Sequence, residues 1–391
     1  MRGGFRIGRL FGFDLRVHYT WFLALGLISW SLAGSFFPQQ YPGWSAATYW
    51  WLGIVAALFL FVSVLLHELA HSLVARARDL PVGSITLFIF GGVSNLEEEP
   101  QTPGIEFTMA LVGPLTSIFL GFVLWGVIFL LAGMPVSFGE LFIGNKLNTP
   151  LEALIGYLAL INMVLGVFNL MPGFPLDGGR VLRSVIWGAT GNLSRATTIS
   201  STVGRLMGWV FIAFGVFQLF TGNVLGGIWI AFIGWFLNSA ADASRRDLTL
   251  REHLSGIPVS RVLAPDKGCV SPELSVEDVV RDVFFRQQRR AVPVCRDNKL
   301  EGILTLTDVR ELPQEKWAQA IVAEIMTKNP LFSVAPEDDL STALHLIAQH
   351  DINQVLVLRQ GQLEGIISRA DIIRYLQVSK ELGLRAGGER S

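Results

Sequence analysis

The sequence predicts a polytopic α-helical membrane domain of six transmembrane helices with a short β-hairpin, followed by a soluble α/β domain. Three observations carry this. Of the 391 residues, 51% are hydrophobic and only 16% charged, and the mean hydropathy of +0.47 is too apolar for an ordinary soluble protein. The apolarity is uneven: six runs long enough, or nearly so, to cross a bilayer fall before residue 241, and the remainder reads as soluble. In that remainder, Gly302–Val309 returns as Gly365–Ile372 at an offset of 63 residues. A net charge of −1 gives no basic field for nucleic acid.

The basic stretch Arg2–Arg16 precedes an apolar run, Tyr19–Phe37. That run is longer than the core of a signal peptide, so it reads as a retained first span. The spans are expected at 17–37, 48–74, 106–132, 151–171, 206–221 and 224–240. Only Thr221-Gly222-Asn223 separates the last two, which predicts a tight helical hairpin. Alternate connections carry Arg2, Arg6, Arg9, Arg16, Arg76, Arg78, Arg180, Arg183, Arg195, Arg205, Arg245 and Arg246, whereas the intervening ones carry only Lys146. The positive-inside rule then puts both termini and the soluble domain in the cytoplasm of a multi-pass cell-membrane protein.

The second span contains His67-Glu68-Leu69-Ala70-His71. Two histidines four apart share a helix face and can hold one Zn²⁺. The glutamate between them can serve as general base on a metal-bound water. From Ala46 to Val74 the only other ionisable side chain is Tyr49. Placing such a trio in lipid is costly, which makes the cluster a functional expectation rather than a chance match. The remaining histidines, His18, His253, His345 and His350, read as surface or packing residues.

After this span, Val82–Ser94 is rich in β-formers, too short to cross a bilayer and punctuated by Gly83, Gly91 and Gly92. It reads as a hairpin dipping toward the membrane or as an amphipathic loop. A strand edge beside the metal helix could pair with an extended peptide, with Gly91 and Gly92 at the contact. In the third span, Gly113-Pro114 combines close packing with a kink. The fourth span runs from Ile161 into Met171-Pro172-Gly173-Phe174-Pro175-Leu176-Asp177-Gly178-Gly179-Arg180. Irregular backbone at membrane depth is tolerated where it lines a cavity or is buried in protein. Asp177 is therefore the expected third ligand, and a His₂-carboxylate set with an open position describes a catalytic metal. The competing role for Asp177 is a helix cap. Asn162 and Asn169, two turns apart, serve either interhelical hydrogen bonds or the substrate backbone.

His67-Glu68-x-x-His71 in one span, with Asn169-x-x-Pro172-x-x-x-x-Asp177-Gly178 at the end of a later one, resembles the site-2 protease family of intramembrane zinc metalloproteases. The resemblance covers residues 1–240. It implies one zinc held by His67, His71 and Asp177, with Glu68 as base, and single-span membrane proteins as substrates. The alternative is a metal or ion transporter, since ionisable residues in spans also mark ion pathways. Transport needs ligands that release, which a general base wedged between two histidines does not suit.

Residues 241–257 read as a charged linker, 258–380 as the repeat domain (258–312 and 322–379), and 381–391 as a disordered tail. Each repeat reads as helix, strand, turn, strand, helix. The pair is similar to tandem CBS domains, which often hold an adenine nucleotide (ATP, ADP or AMP) and commonly dimerise. That resemblance puts Thr305 and Ser368 at phosphate and Asp308 and Asp371 at ribose, and it makes the alternative transporter one gated by its CBS pair. The simpler role for both aspartates is to cap the last helix of each repeat. Cys269 and Cys295 could pair, but two cysteines read more simply as thiols of a reducing compartment.

Overall fold

The computed structural model describes residues 4–382 apart from 97–99, 133–146, 148, 223, 264–267, 298 and 351. Lys146 and most of the expected tail, from residue 383 on, lie outside the described residues. The chain divides into two compact units, Met1–Arg246 and Asp247–Ser391.

The first unit opens with two strands that the sequence reading passed over. Strands β1 (Gly4–Leu10) and β2 (Phe13–His18) form an antiparallel hairpin turning at Phe11-Gly12, where both residues have positive φ. In β2, Phe13, Leu15 and Val17 alternate with polar residues, and Phe13 and Val17 are buried. The arginines of this stretch drew attention to charge and away from that period of two. Strand β2 runs parallel to β3 (Val82–Phe88), and β3 pairs antiparallel with β4 (Gly91–Leu96). The sheet order is β1-β2-β3-β4, so β4 is an edge strand. The pair expected at 82–94 is thus half of a four-stranded sheet.

Among the described residues, five helices are long and apolar enough to cross a membrane. They are α1 (Thr20–Gln40), α2 (Ala46–Arg76), α3 (Pro103–Ala132), α4 (Pro150–Asn169) and α6 (Leu193–Phe220). Between α4 and α6 lies the short amphipathic α5 (Asp177–Thr190). Helix α2 starts where the Ser45 hydroxyl accepts the Thr48 amide, and α4 starts with a Thr149/Glu152 capping box. Helix α6 begins well before the expected 206, because Asn192 caps it and its first turns are amphipathic rather than apolar. The last apolar run, 224–240, is the first half of α7 (Val224–Leu254). The segment expected as a linker therefore continues that helix, which stops just before Gly256 at φ +74°.

Small residues let these helices approach closely. A side chain at Gly166 would meet the Pro114 carbonyl of α3 at 2.8 Å, and one at Gly208 would meet the Gly234 carbonyl of α7 at 2.8 Å. The core between α1, α2, α3 and α4 is built on Phe37, Leu52, Ile128, Leu154 and Tyr157.

In the second unit the repeat is visible atom by atom. Strands β5 (Ala291–Arg296) and β6 (Lys299–Thr305) pair antiparallel, as do β8 (Gln354–Arg359) and β9 (Gln362–Ser368), while the two-residue β7 (Ser333–Val334) joins β8 in parallel. The register slips at Val294/Cys295 in one repeat and at Val357/Leu358 in the other. The turns place Asp297 and Gln360 at φ of +49° and +51°. Arg296 pairs with Glu301 across the first hairpin at 2.9 Å, and Arg359 with Glu364 across the second at 2.6 Å. Apart from β7, each of these features recurs at the same offset of 63 residues. The expectation of free thiols is corrected: Cys269 and Cys295 form a disulfide. The segment before it lies along β5, with the Val270 amide bonded to the Pro293 carbonyl and the Cys295 amide to the Val270 carbonyl, which brings the two Cα atoms to 5.6 Å.

Candidate metal centre

The site grows from one face of each of two helices. On α2, His67 and His71 are one turn apart and both buried. On α3, Met109, Gly113 and Ser117 recur every four residues and therefore share a face. That face meets the histidines. His67 Nδ1 lies 2.9 Å from Ser117 Oγ, and His71 Nδ1 donates to the Met109 carbonyl at 2.6 Å. Gly113 sits between them, where a Cβ would lie 2.1 Å from His71 Nε2 and 2.8 Å from His67 Nε2. Glycine is thus required there to make room for both rings.

The third donor arrives from α5. After α4 the chain turns through Gly173 and Phe174, whose amide bonds the Ser200 carbonyl of α6. The turn is packed so closely that a Cβ at Gly204 of α6 would lie 1.9 Å from the Phe174 carbonyl. Helix α5 then begins at Asp177, with Leu176 as its cap residue. The Asp177 side chain does not cap α5. Its Oδ2 lies 3.0 Å from His67 Nε2 and 3.1 Å from His71 Nε2, and the two Nε2 atoms are 3.2 Å apart. A second clamp holds α5 to α3: the fully buried Glu106 pairs with Arg183, whose Nε is 2.6 Å away, and Arg180 stands 3.9 Å off.

These donors fit a metal. Because the Met109 carbonyl takes the Nδ1 proton of His71, a neutral His71 ring presents a lone pair at Nε2. That lone pair, a carboxylate oxygen and the Nε2 of His67 converge on one point. Acceptors gathered in this way repel unless a cation sits among them. Among the described residues, the donor atoms of His67, His71 and Asp177 lie close enough to hold one ion together, and the backbone and serine partners at Nδ1 are the kind that orient metal-bound histidines.

Beside the triad is a cavity of about 170 Å³ lined by Glu68, Ser72, Gly92, Ser94, Asp177 and Arg180, among others. The expected residues distribute unevenly around it. Glu68 and Gly92 line it. Gly91, at φ +125°, turns the chain into β4 and faces Val64 instead. Asn162 is fully buried and donates to Ser63 of α2 at 2.9 Å and to its own Leu158 carbonyl at 2.8 Å, so its amide serves the interhelical role. Asn169 donates back to the Leu165 carbonyl at 2.8 Å. In the second unit, Asp308 Oδ2 accepts from the Thr305 amide at 2.7 Å and hydroxyl at 2.8 Å, and Asp371 Oδ2 accepts from Ser368 in the same way. These are helix caps. Sequence reasoning missed Met109 and Ser117 as partners of the histidines, the Glu106–Arg183 clamp, and the serines Ser72 and Ser94 beside Glu68. The four-residue spacing of Met109, Gly113 and Ser117 was the available signal.

A zinc-type donor set, two histidines on an apolar helix and an aspartate at the start of α5, with a carboxylate in the adjoining cavity, defines a membrane metallopeptidase. Sequence comparison agrees. Residues 55–211 match the model of peptidase family M50, and residues 250–315 and 322–378 match the CBS domain model. A Synechocystis protein provisionally named zinc metalloprotease sll0528 is 35% identical over 97% of both chains. Zinc metalloprotease MJ0392 of Methanocaldococcus jannaschii is 27% identical, again over 97% of both. Among solved structures, the site-2 protease from M. jannaschii aligns with 62% of this chain and 95% of its own at 26% identity and a TM-score of 0.41. The chain belongs to peptidase family M50, the site-2 type zinc metalloproteases, and carries two CBS domains.

Proposed function

We propose that this multi-pass membrane enzyme cleaves single-span membrane proteins within their apolar segments. The observation that carries the reading is the convergence of His67, His71 and Asp177 beside Glu68 at the end of a membrane-length helix. His67, His71 and Asp177 would hold the zinc. When bound, zinc supplies a Lewis acid that acidifies water and polarises a peptide carbonyl. Glu68 takes the proton from the attacking water and returns it to the departing amide nitrogen.

A transmembrane helix hides its peptide bonds within its own hydrogen-bond ladder, so the substrate must unwind locally. The position of β4 at the edge of the sheet among the described residues, with Gly92, Val93, Ser94 and Leu96 lining the cavity, supports docking of the unwound segment as an added strand. Gly91, as the turn into that strand, would set its start. Asn162, bonded to Ser63 of α2, and Asn169, bonded to its own Leu165 carbonyl, would meet the substrate backbone only by giving up these bonds.

The finer topology follows from the charge pattern. The run 224–240 would form a sixth span, placing the basic connections, both termini and the CBS pair in the cytoplasm. The transporter alternative recedes with membership of a peptidase family. The CBS pair is read as a regulatory module binding ATP, ADP or AMP through Thr305, Asp308, Ser368 and Asp371, and as a contact for homodimers. Nucleotide binding would require these four to exchange their capping bonds for ligand bonds. To test the protease reading, the chain is co-expressed with a tagged single-span substrate panel. Cleavage by the parent and its loss in Glu68→Gln supports it, and equal cleavage by both sinks it. Calorimetric titration of the whole protein with each nucleotide tests the second: the absence of heat and of competition refutes it.

A further inference from the structure

Strand β4 touches Glu68 at two consecutive inward-facing positions. At Gly92 a Cβ would lie 2.5 Å from Glu68 Cγ, so the strand backbone packs directly against the side chain. Two residues on, Ser94 Oγ donates to Glu68 Oε2 at 2.8 Å. Ser94 Oγ also lies 3.2 Å from the Glu68 carbonyl and 3.0 Å from Ser72 Oγ, and Ser72 Oγ donates to that same carbonyl at 2.9 Å.

Two hydroxyls have only two protons to share among these contacts. A hydrogen bond to an ionised carboxylate is shorter and stronger than one to a neutral carbonyl. The Ser94 proton therefore goes to Oε2, and the Ser72 proton goes to the Glu68 carbonyl or to Ser94 Oγ. In the second arrangement Ser72, a residue with no exposed surface, braces Ser94 from behind; in the first it holds the Glu68 backbone beside it. One carboxylate oxygen of Glu68 is held by the strand, while Oε1 takes no hydrogen bond from the described residues.

We infer that Ser94 is a positioning residue: it fixes the orientation of the general base and ties that orientation to strand β4. The inference rests on Glu68 being the base, as proposed above. Its added content is a coupling. β4 is both the brace of the base and, among the described residues, an edge strand of the sheet, so a peptide pairing on β4 bears on the strand that holds Glu68. Cleavage then responds to how well the substrate pairs, over and above how tightly it binds.

The test uses the full-length protein reconstituted with a single-span reporter. Ser94→Ala is expected to lower kcat by roughly 10- to 100-fold, the scale of an ångström-sized misplacement of a reacting group. KM stays within about twofold, since the strand backbone is intact. Zinc content matches the parent. Ser94→Thr, which keeps the hydroxyl, restores most of kcat, and Ser72→Ala gives a smaller loss than Ser94→Ala. With cobalt in place of zinc, the visible absorption bands of Ser94→Ala depart from the parent's and those of Ser94→Thr return to them. The inference is overturned by an unchanged kcat in Ser94→Ala, by failure of the threonine to rescue, or by cobalt spectra indifferent to the substitution. Cleavage by Glu68→Gln at the parent's rate would instead remove the reading of the base itself.

Discussion

Gly113 offers a direct perturbation of the metal centre that changes no ligand. A Cβ at that position would lie 2.1 Å from His71 Nε2, 2.6 Å from His71 Cε1 and 2.8 Å from His67 Nε2. Ordinary contact begins at 3.4 Å, so Gly113→Ala forces the His71 ring to withdraw by more than an ångström or α3 to move away. A zinc–nitrogen bond is about 2.0–2.1 Å and tolerates errors of only about 0.2 Å. Retreat of His71 would also break its 2.6 Å bond to the Met109 carbonyl, and loss of such a partner alone costs roughly 10- to 100-fold in metal affinity. We therefore expect Gly113→Ala to lose at least 100-fold in zinc affinity, read by chelator competition on purified protein. Gly126→Ala is the matched control: it lies on the same helix, and nothing stands within 4 Å of its added Cβ. The reasoning is refuted if Gly113→Ala holds zinc as tightly as Gly126→Ala while both remain folded.

Further expectations test the surrounding frame. Glu106→Gln leaves Arg183 without its counter-charge in a closed site, and breaking a buried pair in this way typically costs about 3–5 kcal/mol. It should therefore unfold α5 first, measured as proteolytic nicking near Arg180. Asn162→Ala removes one interhelical hydrogen bond to Ser63, worth about 0.6 kcal/mol on average in membrane proteins. It should lower thermal stability slightly and leave cleavage intact; loss of cleavage with stability retained would return Asn162 to the substrate. Thr305→Ala removes the N-cap of the helix that follows β6, worth about 1 kcal/mol, to be checked by thermal unfolding of the second unit.

The metal triad was legible because its chemistry is sparse: His67, Glu68 and His71 stand nearly alone in an apolar run, and Asp177 appears where prolines and glycines break another. The repeat was legible because two copies can be compared with each other. Other features were hidden for physical reasons. Strand β2 alternates over only six residues and hides under arginines. The partners of the histidines include a backbone carbonyl, Met109, which no side-chain identity reveals. Ser72 and Ser94 are distant in sequence and become neighbours only when β4 folds against α2. The aspartates of the repeats fit two roles equally well by spacing alone, and the local hydrogen bonds of Thr305 and Ser368 show them acting as caps.

The most direct test of the central claim is the mapping of cleavage products by mass spectrometry. Purified parent and Glu68→Gln, loaded with equal zinc and reconstituted in vesicles, are given the same single-span substrate. The account predicts new termini inside the apolar segment with the parent and none with Glu68→Gln. Identical fragments from both proteins, or cuts confined to the substrate's water-exposed flanks, would contradict it.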